Sequence, residues 1–112
     1  MHELGISRNI VAIVDEAARG RPVRRVTLEI GKLSGIVPHA IAFCFEVAAQ
    51  GTAVQGAALE IRETEGRARC SGCRREFEVA SLLTPCICGC RRLAYLAGQE
   101  LKIKTMELEE VP

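Results

Sequence analysis

From Leu4 to Ala18 apolar residues recur at helical spacing, with Ile6, Ile10, Ile13 or Val14, and Ala17 on one side and Arg8, Asp15, Glu16 and Arg19 mostly on the other. That pattern predicts an amphipathic helix, which Gly20 and Pro22 bring to a stop. The period then falls to two. Val26, Leu28 and Ile30 alternate with Thr27 and Glu29 across residues 23–30, as expected of a half-buried strand. Gly31-Lys32-Leu33-Ser34-Gly35 reads as a turn. Pro38, a residue favoured in the first helical position, opens a second helix that carries Ile41, Cys44 or Phe45, and Ala48 towards Gly51. Strand alternation returns through Leu59 and Ile61 in residues 56–63, and again in residues 100–109. In the last segment the apolar parity moves from odd (Leu101, Ile103) to even (Met106, Leu108), which predicts a bulge or strong twist near Thr105.

Between the last two strands lies a stretch with neither period, dense in cysteine. The order helix, strand, helix, strand, cysteine segment, strand predicts an α+β fold of two helices packed on a small three-stranded sheet. Residues 67–96 would project from it as a zinc-ribbon-like lobe, with residues 1–66 and 97–112 forming the α+β domain.

The chain has 112 residues and 48% hydrophobic side chains, enough for one modest core. It has no tryptophan, and aromatic residues make up 4% of it, so surfaces for stacking bases are scarce. A formal net charge of +1 gives no general attraction to nucleic acid or anionic lipid. The charge is nevertheless uneven. Arg67, Arg69, Arg74, Arg75, Arg91 and Arg92 surround the cysteines against only Glu76 and Glu78, a local excess of +4. No stretch reaches the roughly 18 apolar residues of a membrane span, and the N-terminus lacks the layout of a signal peptide. A cytoplasmic, reducing location is therefore expected, where closely spaced cysteines serve metal binding and not disulfides.

The cysteine segment has two halves, Cys70-Ser71-Gly72-Cys73 and Cys86-Ile87-Cys88-Gly89-Cys90. Two short cysteine turns joined by a loop can supply the four thiolates of a tetrahedral zinc site. The first half is a regular C-x-x-C knuckle, with Gly72 where a sharp bend is expected. The second is C-x-C-x-C, and Pro85 occupies the position at which a C-x-x-C ending on Cys88 would begin. Cys88 with Cys86 is the expected second pair, and Cys90 competes with Cys86 for the fourth place. Such a site is closed, so it organises structure and does not catalyse. Cys44 stands alone in a helical pattern and reads as a small core side chain.

The first residues offer different chemistry. His2 sets an imidazole beside the terminal amine and the first backbone amides, a nitrogen-rich arrangement that suits Ni(II) or Cu(II) better than Zn(II). His39 is the other histidine, and it reads either as a solvated residue in the first turn of the second helix or as a further ligand near the N-terminus.

Met1-His2-Glu3-Leu4, the strand end Glu29-Ile30-Gly31-Lys32-Leu33-Ser34, Phe45-Glu46, the paired cysteine knuckles, and the run from Leu96 to Ile103 occur here in one order. Together they resemble the HypA/HybF hydrogenase maturation proteins, from the first residue to about Glu110. The resemblance implies a nickel metallochaperone that works with the GTPase HypB to deliver Ni(II) to the large subunit of [NiFe]-hydrogenase. It also implies nickel binding by Met1, His2 and Glu3 and a separate structural four-cysteine zinc site. The second knuckle departs from the C-x-x-C of many relatives, and no histidine flanks the cysteines.

The expected protein is thus not an enzyme; no nucleophile–base pair or phosphate-cradling loop stands out. Its expected companions are zinc, nickel as cargo, HypB and the hydrogenase large subunit, with no membrane. An exposed sheet edge leaves homodimerisation open. The competing function is a zinc-ribbon module binding nucleic acid or protein through its arginines, against which the aromatic shortage counts.

Overall fold

The computed structural model describes residues 2–110. Its elements in chain order are α1 (Glu3–Ala18), β1 (Val23–Gly31), α2 (Pro38–Ala49), β2 (Ala58–Thr64), β3 (Gly66–Cys70), β4 (Glu76–Val79), β5 (Leu93–Ala97) and β6 (Leu101–Leu108). Every element expected from periodicity is present, within a few residues of its expected limits. The sheet order is β2-β1-β6, with a second three-stranded sheet ordered β4-β3-β5. The fold is α+β with two helices, as expected; the strands of the second sheet are additional. None of the described helices is long and apolar enough to cross a membrane.

The chain divides into two compact units. The first comprises Met1–Leu28, Val37–Arg62 and Ile103–Pro112, and contains both helices. α1 buries Ser7, Ile10, Val11, Val14 and Ala18, whereas Ile13 is 58% exposed and Ala17 faces solvent. The buried stripe is thus rotated from the expected one: a 3.6-residue period that includes Ser7 runs through Val11 and Ala18 and cannot also take in Ile13 and Ala17. Ser7 can be buried because its hydroxyl donates to the Ile41 carbonyl of α2 at 3.4 Å. α2 turns Ile41, Phe45 and Ala49 inward, leaving Ala48 and Cys44 half-buried. Ala49, not Ala48, continues the i, i+4 row from Ile41 through Phe45.

Central strand β1 buries Val26, Leu28 and also Thr27, so it is covered more fully than its alternation implies. Arg25 reaches Glu60 on β2 at 3.3 Å and Glu107 on β6 at 3.4 Å, and Arg24 also pairs with Glu107. These exposed pairs follow the strand order and contribute little stability individually.

The second unit comprises Glu29–Ile36 and Glu63–Lys102. Its core is Leu33, Ala68 and Val79, with Phe77, Leu93 and Tyr95 packed against it. β3 pairs antiparallel with β4, Arg67 opposite Glu78 and Arg69 opposite Glu76, and on its other edge with β5. Leu33 lies in a turn, as expected, and is also an anchor of this core; its amide donates to the Gly98 carbonyl at 2.6 Å. The approach is close enough that three glycines are required. A Cβ on Gly66 would lie 2.7 Å from Leu33 Cδ1, and one on Gly98 would lie 2.6 Å from the Gly66 Cα. Gly31 likewise abuts the backbone of Gly98 and Gln99.

Candidate metal centre

β3 ends in Cys70, and β5 begins immediately after the second cysteine turn, so the small sheet brings the two halves of the cysteine segment together. The Cys70 amide donates to the Arg75 carbonyl at 2.9 Å, closing the first knuckle. The Ser71 amide donates to the Arg92 carbonyl at 3.0 Å, fastening the exit of the second. Within the second turn the Cys86 amide reaches the Cys90 carbonyl at 3.0 Å and the Gly89 amide reaches the Cys86 carbonyl at 2.8 Å.

The outcome is a cluster of four thiols. The Sγ atoms of Cys70, Cys73, Cys86 and Cys88 all lie within 4.8 Å of one another, with Cys70 to Cys88 and Cys73 to Cys86 each 3.6 Å. Tetrahedral zinc–thiolate bonds of about 2.3 Å place sulfur atoms about 3.8 Å apart, so this donor set fits such an ion. Cys70 and Cys86 are buried and Cys73 and Cys88 exposed, which gives the cluster one sheltered and one open side.

The amides around the cluster sort its protons. N–H groups of Cys73 and Gly72 donate to Cys70 Sγ at 3.4 and 3.3 Å. Those donations, the Cys73 amide foremost, outweigh burial and pull the Cys70 thiol down to about 6. At Cys88 the amide of Cys90 lowers the thiol, but the neighbouring Cys70 and Cys86 sulfurs together with burial push it up to about 12. Cys70 is therefore biased towards the thiolate and Cys88 towards the thiol. A metal displaces the remaining protons, and uptake is linked to pH.

Cys90 is turned elsewhere. Its sulfur lies 3.9 Å from the Ser71 hydroxyl and 3.9 Å from the Arg92 carbonyl. It also lies beside Gly72, where an added Cβ would sit 3.4 Å from Cys90 Sγ and 3.6 Å from Cys70 Sγ. The left-handed backbone of this knuckle falls at Arg74, with φ 64, and not at Gly72. Sequence spacing carried no sign of this, because an arginine is an uncommon occupant of that conformation.

At the other end of the chain, His2 is the exposed N-cap of α1, and the Ile6 amide donates to its carbonyl at 2.9 Å. Glu3 is buried, with a carboxylate oxygen 3.5 Å from the Val37 amide at the start of α2. Met1 lies outside the described residues. His39 is exposed in the first turn of α2. Among the described residues the four cysteines are the one set of three or more side chains gathered for a metal.

Comparison with known proteins shows what the whole chain resembles. A family profile described as hydrogenase/urease nickel incorporation, metallochaperone, hypA, matches residues 1–108. The hydrogenase maturation factor HypA of Trichormus variabilis is 55% identical over 111 residues, covering 99% of this chain and 98% of that protein. The HypA of Geobacter sulfurreducens is 44% identical over 110 residues, covering 97% of this chain and 100% of that one. Among solved structures, the solution structure of the Ni metallochaperone HypA from Helicobacter pylori matches with a TM-score of 0.69 at 22% identity. It covers 96% of this chain and 97% of that one, a likeness of fold. With a whole-length profile match and curated relatives above half identity, the chain belongs to the HypA family of nickel metallochaperones for hydrogenase and urease.

Proposed function

We propose that this protein captures Ni(II) at its N-terminus and passes it, with a HypB-type GTPase, to the large subunit of a [NiFe]-hydrogenase during maturation in the cytoplasm. The observation that carries this reading is the family match that begins at residue 1 and so includes the Met1-His2-Glu3 start. The Met1 amine, the His2 imidazole and the amides of His2 and Glu3 form the cargo site in this reading. Nitrogen donors of that kind favour a flat four-coordinate geometry. The burial of the Glu3 side chain against the start of α2 supports a backbone contribution from Glu3 and leaves the imidazole of exposed His2 as the principal side-chain ligand.

Cys70, Cys73, Cys86 and Cys88 hold a resident Zn(II), which keeps the two cysteine turns together and takes no part in transfer. Cys90 is the alternative fourth ligand. The two tasks divide between residues 67–96, which bind zinc, and residues 1–66 with 97–112, which bind nickel. The protein itself performs no catalysis. A terminal site with few protein ligands releases its ion to a better-equipped acceptor, whereas a closed thiolate site does not.

The test is maturation in hydrogenase-producing cells whose own copy of the gene has been deleted. At limiting nickel, the wild-type chain restores nickel to the isolated large subunit, and His2→Ala leaves that subunit without it. Full restoration by His2→Ala at limiting nickel contradicts the N-terminal assignment.

A further inference from the structure

We propose that the knuckle end of the second unit is a docking surface for an acidic polypeptide segment bearing aliphatic side chains. The argument starts with charge. Of the six arginines around the cysteines, two are matched on the sheet: Arg69 bonds Glu76 at 2.9 Å, and Arg67 stands opposite Glu78 in the β3–β4 register. That leaves Arg74, Arg75, Arg91 and Arg92, all exposed, and among the described residues none of them pairs with a carboxylate. They are separated in sequence but not in the fold. The carbonyls of Arg75 and Arg92 accept from the adjacent amides of Cys70 and Ser71, which sets the two arginine pairs beside the same knuckle.

Apolar groups stand among these charges. Ile87, at the tip of the second cysteine turn, is 83% exposed, and Leu83, on the preceding turn, is 81% exposed. Arg91 donates to the Leu83 carbonyl at 3.5 Å, and the Leu83 amide is held by the Ser81 hydroxyl at 3.1 Å. Both aliphatic side chains are thus carried on turns fixed by hydrogen bonds. Exposed aliphatic side chains on fixed turns, in the same lobe as four guanidinium groups without a carboxylate partner, complement a surface that offers both carboxylates and apolar side chains. Arginine forks hold carboxylates in two-point geometry, and the aliphatic pair supplies the contact that excludes water.

A nucleic acid is the poorer match. Its bases ask for exposed aromatic faces, and here Phe77 and Tyr95 are packed against the Leu33 core. An anionic membrane is also poorer, because two aliphatic side chains without an aromatic anchor bury little area in a bilayer interface. The inference stands apart from the nickel reading, since it rests on the knuckle end alone.

The experiment follows backbone amide shifts of the full-length, metal-loaded chain during titration with a synthetic glutamate-rich peptide containing leucines. Parallel titrations use the same peptide with glutamine in place of glutamate, a single-stranded oligothymidine, and vesicles of phosphatidylglycerol and phosphatidylcholine. The glutamate peptide is expected to shift residues 74–75, 81–84, 87 and 91–92, more weakly as salt is raised. Arg91→Glu with Arg92→Glu is expected to weaken binding roughly tenfold or more. Leu83→Ser with Ile87→Ser, at exposed positions that leave the fold undisturbed, weakens it severalfold. Equal binding of the glutamine peptide, shifts lying elsewhere, or tighter binding of the oligonucleotide or vesicles overturns the proposal.

Discussion

Glu100 shows how a single side chain sets the path of the chain between β5 and β6. One carboxylate oxygen accepts from the Thr64 hydroxyl at 2.8 Å and from the Gly98 amide at 2.7 Å. The Thr64 hydroxyl foremost, with the Glu100 and Gly98 amides, holds this carboxyl below its ordinary value of 4.5. Because the folded value lies below the unfolded one, the ionised clasp stabilises the fold above about pH 4.5 and is lost as pH falls through the lower folded value. Glu100→Gln is therefore expected to flatten the acid limb of stability in denaturant titrations across pH, and an unchanged limb would show that another group controls it. Gly98 beside it has φ 106 and touches Gly66, so Gly98→Ala combines a disfavoured backbone with a clash. A loss of about 1–3 kcal/mol is expected in equilibrium unfolding, whereas the same change at a glycine with a compatible backbone stabilises by about 0.4–1 kcal/mol. The motif residues around Gly31 and Gly98 were legible as a family resemblance. Their physical reason was not, because close approach of distant backbones leaves no local period in a sequence.

At the level of elements, pattern reading worked where one face dominates. α2 and β1 began where Pro38 and the period-two run placed them, since Pro at the first helical position and alternating burial act locally. α1 was found, and of its expected face Ile10 and the alternative Val14 are buried while Ile13 and Ala17 are not. The apolar positions of α1 span more than one stripe, and the stripe actually used includes a polar Ser7 whose partner, Ile41, is 34 residues away. The rotation can be measured directly. Val14→Ala, at a position 2% exposed, is expected to cost about 1–3 kcal/mol, whereas Ile13→Ala should cost less than about 0.5 kcal/mol. Comparable losses from chemical denaturation of the two variants would return Ile13 to the core. The strands β3, β4 and β5 escaped periodicity because each has only four or five residues, too few for alternation to stand out.

On the scale of the whole molecule, the proposed division of labour rests on two places in the sequence. The cysteine spacing pointed to a four-thiol cluster, and the structure gathers Cys70, Cys73, Cys86 and Cys88 within 4.8 Å. What spacing could not convey is that Cys90 faces Ser71 and the Arg92 carbonyl, an orientation set by the hydrogen bonds of the two turns. The N-terminal reading depends on backbone nitrogens, which every sequence has, so only the histidine beside the terminal amine and the family resemblance marked it. Under the proposed function the two sites have opposite exchange behaviour, zinc staying and nickel leaving. Elemental analysis of untagged protein, before and after titration with Ni(II) and beside His2→Ala, measures both sites at once. One tightly held zinc and one added nickel per chain are expected, with the nickel alone lost in the variant. Zinc without nickel uptake in either protein, or undiminished nickel binding by His2→Ala, would contradict the proposed function.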